Sequence, residues 1–73
     1  MTPLDKLKAM PIYGDAHSDR PRFDAANEII HDTTATLEDR LAALNEIDRT
    51  MGIEGQDPIN EQALADYIAE YEV

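Results

Sequence analysis

The chain has no cysteine and no tryptophan, one phenylalanine, one serine and three glycines in 73 residues. Without thiols it can form neither a disulfide staple nor a thiolate metal site, so a common route to stability in small domains is closed. With a single serine and no glycine-rich phosphate loop, nucleophilic and phosphoryl-transfer chemistry have little to build on. Positive charge is scarce as well: six Lys and Arg stand against sixteen Asp and Glu, a formal net charge of -10. Nonspecific attraction to DNA, RNA or an anionic membrane is therefore disfavoured. The bases Lys6, Lys8, Arg20, Arg22, Arg40 and Arg49 are scattered rather than gathered into the patch that direct nucleic-acid binding needs. No apolar run is long enough to cross a bilayer, and Met1 to Met10 lack the apolar stretch of a signal peptide. A cytoplasmic location is the resulting expectation, and it agrees with the absence of cysteine.

What is there is acid, unevenly placed. From Thr50 to Val73 there are six acids and no Lys or Arg, whereas Met1 to Arg22 carries four bases against three acids. The length allows one domain, residues 1–73, with a modest core that self-association could reinforce.

Local signals predict an all-α protein: a short N-terminal helix, a central helix or helical hairpin, and an amphipathic C-terminal helix. Thr2-Pro3-Leu4-Asp5 reads as a helix start, with Thr2 as N-cap, Pro3 at the first helical position and Asp5 in the first turn. Leu4, Leu7 and Met10 share one face of this short piece, which needs tertiary contacts to stay folded. Residues 11–22, with two prolines, a glycine, a serine and several acids, have the composition of an internal loop that Ile12 and Tyr13 could anchor.

Further on, Phe23, Ile30, Leu37, Leu44 and Met51 recur every seven residues. Thr33 and Arg40 interrupt the second seam position, so a small bundle or homodimer fits better than an extended coiled coil. Two readings of this segment compete. Asp32-Thr33-Thr34-Ala35-Thr36 is poor in helix formers, and Thr36 can cap a new helix before Glu38 and Asp39, which favours a break near Thr34. The preserved phase of Ile30 and Leu37 favours one continuous helix of about 40 Å, which would demand a partner. Residues 52–57 form a linker, with Gly52 as a left-handed C-cap and Gly55 allowing a second turn. Asp57-Pro58, or Asn60, then starts the last helix, whose apolar side is Ile59, Ala63, Leu64, Tyr67, Ile68 and Tyr71.

Catalytic and metal signals are weak. Asp15, His17 and Asp19 alternate in the loop, but a calcium loop needs more oxygen ligands and a structural zinc site needs four suitable donors. His17 reads as an exposed loop histidine and His31 as a helix boundary residue. Glu28 and His31 are three apart on the predicted helix, far fewer ligands than a di-metal bundle requires. No cofactor and no enzyme activity are expected, because a chain of this size has little room to enclose a substrate.

The leading functional expectation is an acidic helical adaptor or inhibitor that binds a basic protein. Its sharper form is charge mimicry, in which carboxylates block the basic groove of a nucleic-acid-binding protein. The candidate contacts are Asp48, Glu54, Glu61, Asp66, Tyr67, Glu70, Tyr71 and Glu72, where the acids supply charge and the two tyrosines, one turn apart, supply apolar area with a hydroxyl. The alternative expectation is a structural homodimer assembled along the central heptad-like stripe.

Overall fold

A computed structural model of the chain describes residues 2–52 and 59–71, the last of these by its backbone. It is an all-α four-helix bundle: α1 Pro3–Ala9, α2 Arg20–Ile30, α3 Leu37–Met51 and α4 Glu61–Tyr71. No strand is present among the described residues, and none of their helices is long and apolar enough to cross a membrane.

Helix α1 begins on a reciprocal cap. The Thr2 hydroxyl oxygen accepts the Asp5 N–H at 3.1 Å while the Asp5 carboxylate accepts the Thr2 N–H at 3.3 Å, and Pro3 sits where no amide is required. Two turns of helix are marginal alone, so burial must hold them: Leu7 is fully enclosed, with Leu4 and Met10 packed against the same core. The connecting loop is shorter than its composition implies. α2 starts at Arg20, not after Arg22, because Pro21 tolerates the first helical turn and Asp19 occupies the cap position.

The central segment is two helices. α2 ends at Ile30, a turn follows, and the Thr36 hydroxyl oxygen accepts the Asp39 N–H at 3.1 Å to open α3. In the turn, the Asp32 carboxylate accepts from both the Thr34 N–H and the Thr34 hydroxyl, at 2.9 and 2.6 Å. These local bonds offer the backbone an alternative to helix, which is why the break falls here. The seven-residue stripe is consequently divided. Ile30 and Leu44 lie in the core, whereas Leu37 and Met51, at the two ends of α3, remain 43 % and 52 % exposed. α3 closes on Gly52 at φ 76°, the left-handed conformation that glycine adopts without steric cost.

The core joins Leu7 of α1, Ala26, Ile29 and Ile30 of α2, Ala43, Leu44 and Ile47 of α3, and Leu64 of α4. Inside it lies a charge. Arg22 is 2 % exposed, and its guanidinium fork ties α2 to both α1 and α3. Nη2 donates to Glu46 at 2.8 Å, Nε donates to the Thr50 hydroxyl oxygen at 2.9 Å, and Nη1 donates to the Leu7 carbonyl at 3.0 Å and to the Met10 carbonyl. Thr50 in turn donates to the Glu46 carbonyl at 2.6 Å. No buried side-chain nitrogen or oxygen among the described residues lacks a hydrogen-bond partner.

Removing one member of a buried ion pair strands the other charge, so Arg22→Met should cost about 3–5 kcal/mol in urea unfolding. Arg22→Met combined with Glu46→Leu should recover most of that loss, because an apolar pair replaces a charged one and no ion is left unpaired. A single-variant loss under about 1 kcal/mol would put the pair in the range of solvent-exposed bridges and contradict this assignment.

Candidate protein-binding surface

The last helix is placed by its cap. The Asn60 side-chain oxygen accepts the Ala63 N–H at 2.9 Å, and the Asn60 carbonyl accepts the Leu64 N–H, so the alternative cap residue of the sequence is the one used. Ile59, just before the cap, packs against the core that contains Leu64, the spacing of a hydrophobic staple. Asp57 and Gly55 lie outside the described residues. From this start the helical period turns Leu64 fully inward and Ala63, Tyr67 and Ile68 partly so.

Glu61, Gln62, Asp66 and Glu70 of α4 are all exposed, Glu61 in the first turn beside the side of Leu64 and Ile68, and Asp66 and Glu70 on the side away from it. Gln62 Nε2 donates to Asp66 at 2.9 Å across one turn, which steadies one carboxylate without neutralising it. The last turn of α4 contains no basic residue, so the negative end of its dipole adds to Glu70. Three of the eight candidate contacts are therefore brought together on one element as exposed charge. Tyr67 is different: it is half-buried, and its hydroxyl donates to Asn27 Oδ1 at 2.7 Å, tying α4 to α2. Asn27 is itself fixed, donating to the Phe23 carbonyl at 2.9 Å. Asp48 is half-buried on α3 and engaged within the chain. Glu54, Glu72 and the Tyr71 side chain lie outside the described residues.

The fate of the bases matters as much as the place of the acids. Arg22 is sealed inside, Arg40 Nε donates to the Ile30 carbonyl at 2.8 Å, and Arg49 lies 3.5 Å from Glu46. Arg20 sits 3.9 Å from Asp24 on the exposed face of α2. Every arginine thus has a partner within the chain, whereas the described part of α4 carries acids and no base.

The loop acids do not converge on a metal. Asp19 is buried, its carboxylate accepting the Tyr13 and Gly14 N–H groups at 2.8 and 3.0 Å, while Asp15 accepts from the Ser18 N–H and hydroxyl. Gly14 has φ 80°, so this clamp holds a left-handed turn that displays Tyr13 to solvent. His17 and His31 are exposed, and His31 Nδ1 lies 2.9 Å from the Asn27 carbonyl at the end of α2. Among the described residues no three His, Asp or Glu side chains are grouped to hold a metal ion.

One feature escaped sequence reasoning because it is assembled from three segments. The start of α1, the end of α2 and the α2–α3 turn enclose a groove of about 590 Å³, lined by Leu4, Ile29 and Ala35 and by the carboxylates of Glu28, Asp32 and Asp39. The only sequence signal was the gathering of acids on both sides of the break at Thr34. Comparison with family models, with curated proteins and with solved structures found no match to this chain.

Two measurements test the local chemistry. The Thr34 hydroxyl, followed by the Thr34 amide, holds the Asp32 carboxyl below its ordinary range. Asp32 therefore helps the turn at neutral pH and loses that help as pH falls through its lowered folded-state value. In Thr34→Val, an NMR titration should find the Asp32 carboxyl moved upward, towards an ordinary aspartate. Separately, Tyr67→Phe should lower stability by about 0.5–1.5 kcal/mol in chemical denaturation, the worth of the bond to Asn27. An unchanged midpoint would mean that the hydroxyl does not anchor α4.

Proposed function

We propose that this protein is an acidic helical recognition module that binds a basic protein, with the exposed side of α4 as one contact surface. The observation that carries the reading is the sorting of charge: the arginines are engaged by partners inside the chain, while Glu61, Asp66 and Glu70 stay exposed on one helix. Such a surface steers a basic partner from a distance and suppresses association with acidic ones. In its more specific form the partner is a nucleic-acid-handling protein and the carboxylates occupy the groove where phosphates would bind. Competition is then direct, since carboxylates and phosphates draw on the same Lys and Arg side chains.

The test is capture of partners from native cells by the wild-type protein and by Glu61→Gln/Asp66→Asn/Glu70→Gln. The variant keeps the helix, because the amide oxygen that replaces the Asp66 carboxylate can still accept from Gln62. A basic protein held by the wild type, released by salt and lost by the variant is the expected result. Identical partners for both proteins, with unchanged circular dichroism, would overturn the α4 assignment. For the nucleic-acid form, added duplex DNA should displace the module from that partner, and coexistence of both on it would exclude charge mimicry.

A further inference from the structure

We infer that the groove between α1 and the α2–α3 turn is a second docking site on this protein, and that it takes a cationic amphipathic segment of the partner, an aliphatic side chain flanked by Lys or Arg. This site rests on the reading of a basic partner but lies on a different surface from α4.

The groove is apolar below and acidic above. Pro3 and Leu4 of α1, Ile29 of α2 and Ala35 of the turn form its floor, and its volume of about 590 Å³ suits a few side chains. Ile29 is almost wholly buried, Leu4 and Ala35 are half-buried and Pro3 is exposed, so the apolar lining rises from the core at Ile29 to the surface at Pro3. Glu28, Asp32 and Asp39 are exposed around it. Among the described residues no base forms an ion pair with these three. Arg40 is not part of the lining and donates its Nε–H to the Ile30 carbonyl, although its charge is felt at Asp32.

Charge then selects the occupant. The negative end of α2 is met by Arg40, which donates its Nε–H to the Ile30 carbonyl at 2.8 Å, so the charge of the site is that of Glu28, Asp32 and Asp39. The positive end of α3 is offset by Glu38 and Asp39 in its first turn. An aliphatic side chain alone would satisfy the floor and leave the rim idle. A lone ammonium would satisfy the rim and leave the floor wet. A segment carrying both fits both, whereas a second copy of this chain, at -10, would bring like charge to the rim.

The probe is a fluorescent amphipathic peptide patterned with lysine and leucine, compared with the same peptide carrying glutamate for lysine. Three proteins are titrated: wild type, Glu28→Gln/Asp39→Asn, and Ala35→Trp, which fills the groove while leaving the rim charged. The lysine peptide should bind the wild type and shift the NMR signals of Leu4, Ile29 and Ala35. Rim neutralisation should weaken it by about 2- to 30-fold, the range for two solvent-exposed charge contacts. Ala35→Trp, checked for an unchanged unfolding midpoint, should abolish the groove shifts. Absence of wild-type binding, equal binding of the glutamate peptide, or unaltered binding to a folded Ala35→Trp would each overturn the groove.

The Glu61→Gln/Asp66→Asn/Glu70→Gln protein separates the two surfaces. Peptide binding that survives this variant but not the groove variants supports the groove, whatever the capture experiment on α4 returns. Weakening by the α4 variant alone overturns the groove and leaves the recognition reading standing. Concentration-dependent dimerisation that protects Leu4 and Ala35 would assign the groove to a second copy instead.

Discussion

One guanidinium ties three of the four helices together. α1 is two turns long; at its end the Leu7 carbonyl accepts the Met10 N–H, and Arg22 of α2 donates to the Leu7 and Met10 carbonyls while the same fork grips Glu46 and Thr50 of α3. A small apolar core alone would let α1 slide or fray, since Leu7 is its single buried anchor. Dispersion favours many similar packings, whereas a planar fork with four directed bonds accepts few. An apolar replacement could match the pair in stability, so what the charge adds is the choice of one arrangement of three helices.

That constraint reaches the surface through charge. Arg22 takes Glu46 into the interior with it, and Arg20, Arg40 and Arg49 are turned to nearby carbonyls and carboxylates, so the exposed acids of α4 have no base on their own helix. Such a surface stores repulsion in the folded state, which binding to a cationic partner would relieve. Fold and proposed recognition therefore draw on the same few arginines.

Helix ends were legible in the sequence because capping is local chemistry: Thr2, Thr36, Gly52 and Asn60 act where their types and neighbours place them. The break after Ile30 was favoured by the same reasoning, although the seven-residue spacing continued across it. Six residues from His31 to Thr36 separate the two helices, so Leu37 kept its place in the count and lost its place in the core. The composition of residues 11–22 marks Asp19 and Arg22 as loop charges. Yet Arg22 stands four and seven residues before Ala26 and Ile29, and Glu46 stands within the stripe of Ala43, Ile47 and Thr50. Opposite charges inside two apolar stripes are a readable sign of a buried pair. Of the candidate contacts, the exposure of Asp66 and Glu70 is legible from helical period and that of Glu61 from its place in the first turn, while the role of Tyr67 depends on Asn27, forty residues away.

The two acidic surfaces differ in what they can contribute to recognition. The exposed acids of α4 are spread along and around a convex helix whose other exposed residues include Ala65 and Ala69, so it offers charge with little apolar area to bury. Charge at that distance from a core changes the rate of encounter more than the lifetime of a complex. The groove at the α2–α3 turn is concave and has an apolar floor, so a side chain seated there leaves water and must be expelled before dissociation. Under the proposed recognition, selectivity among basic partners would belong to the groove, where carboxylates surround a shape, and attraction to α4, where they do not.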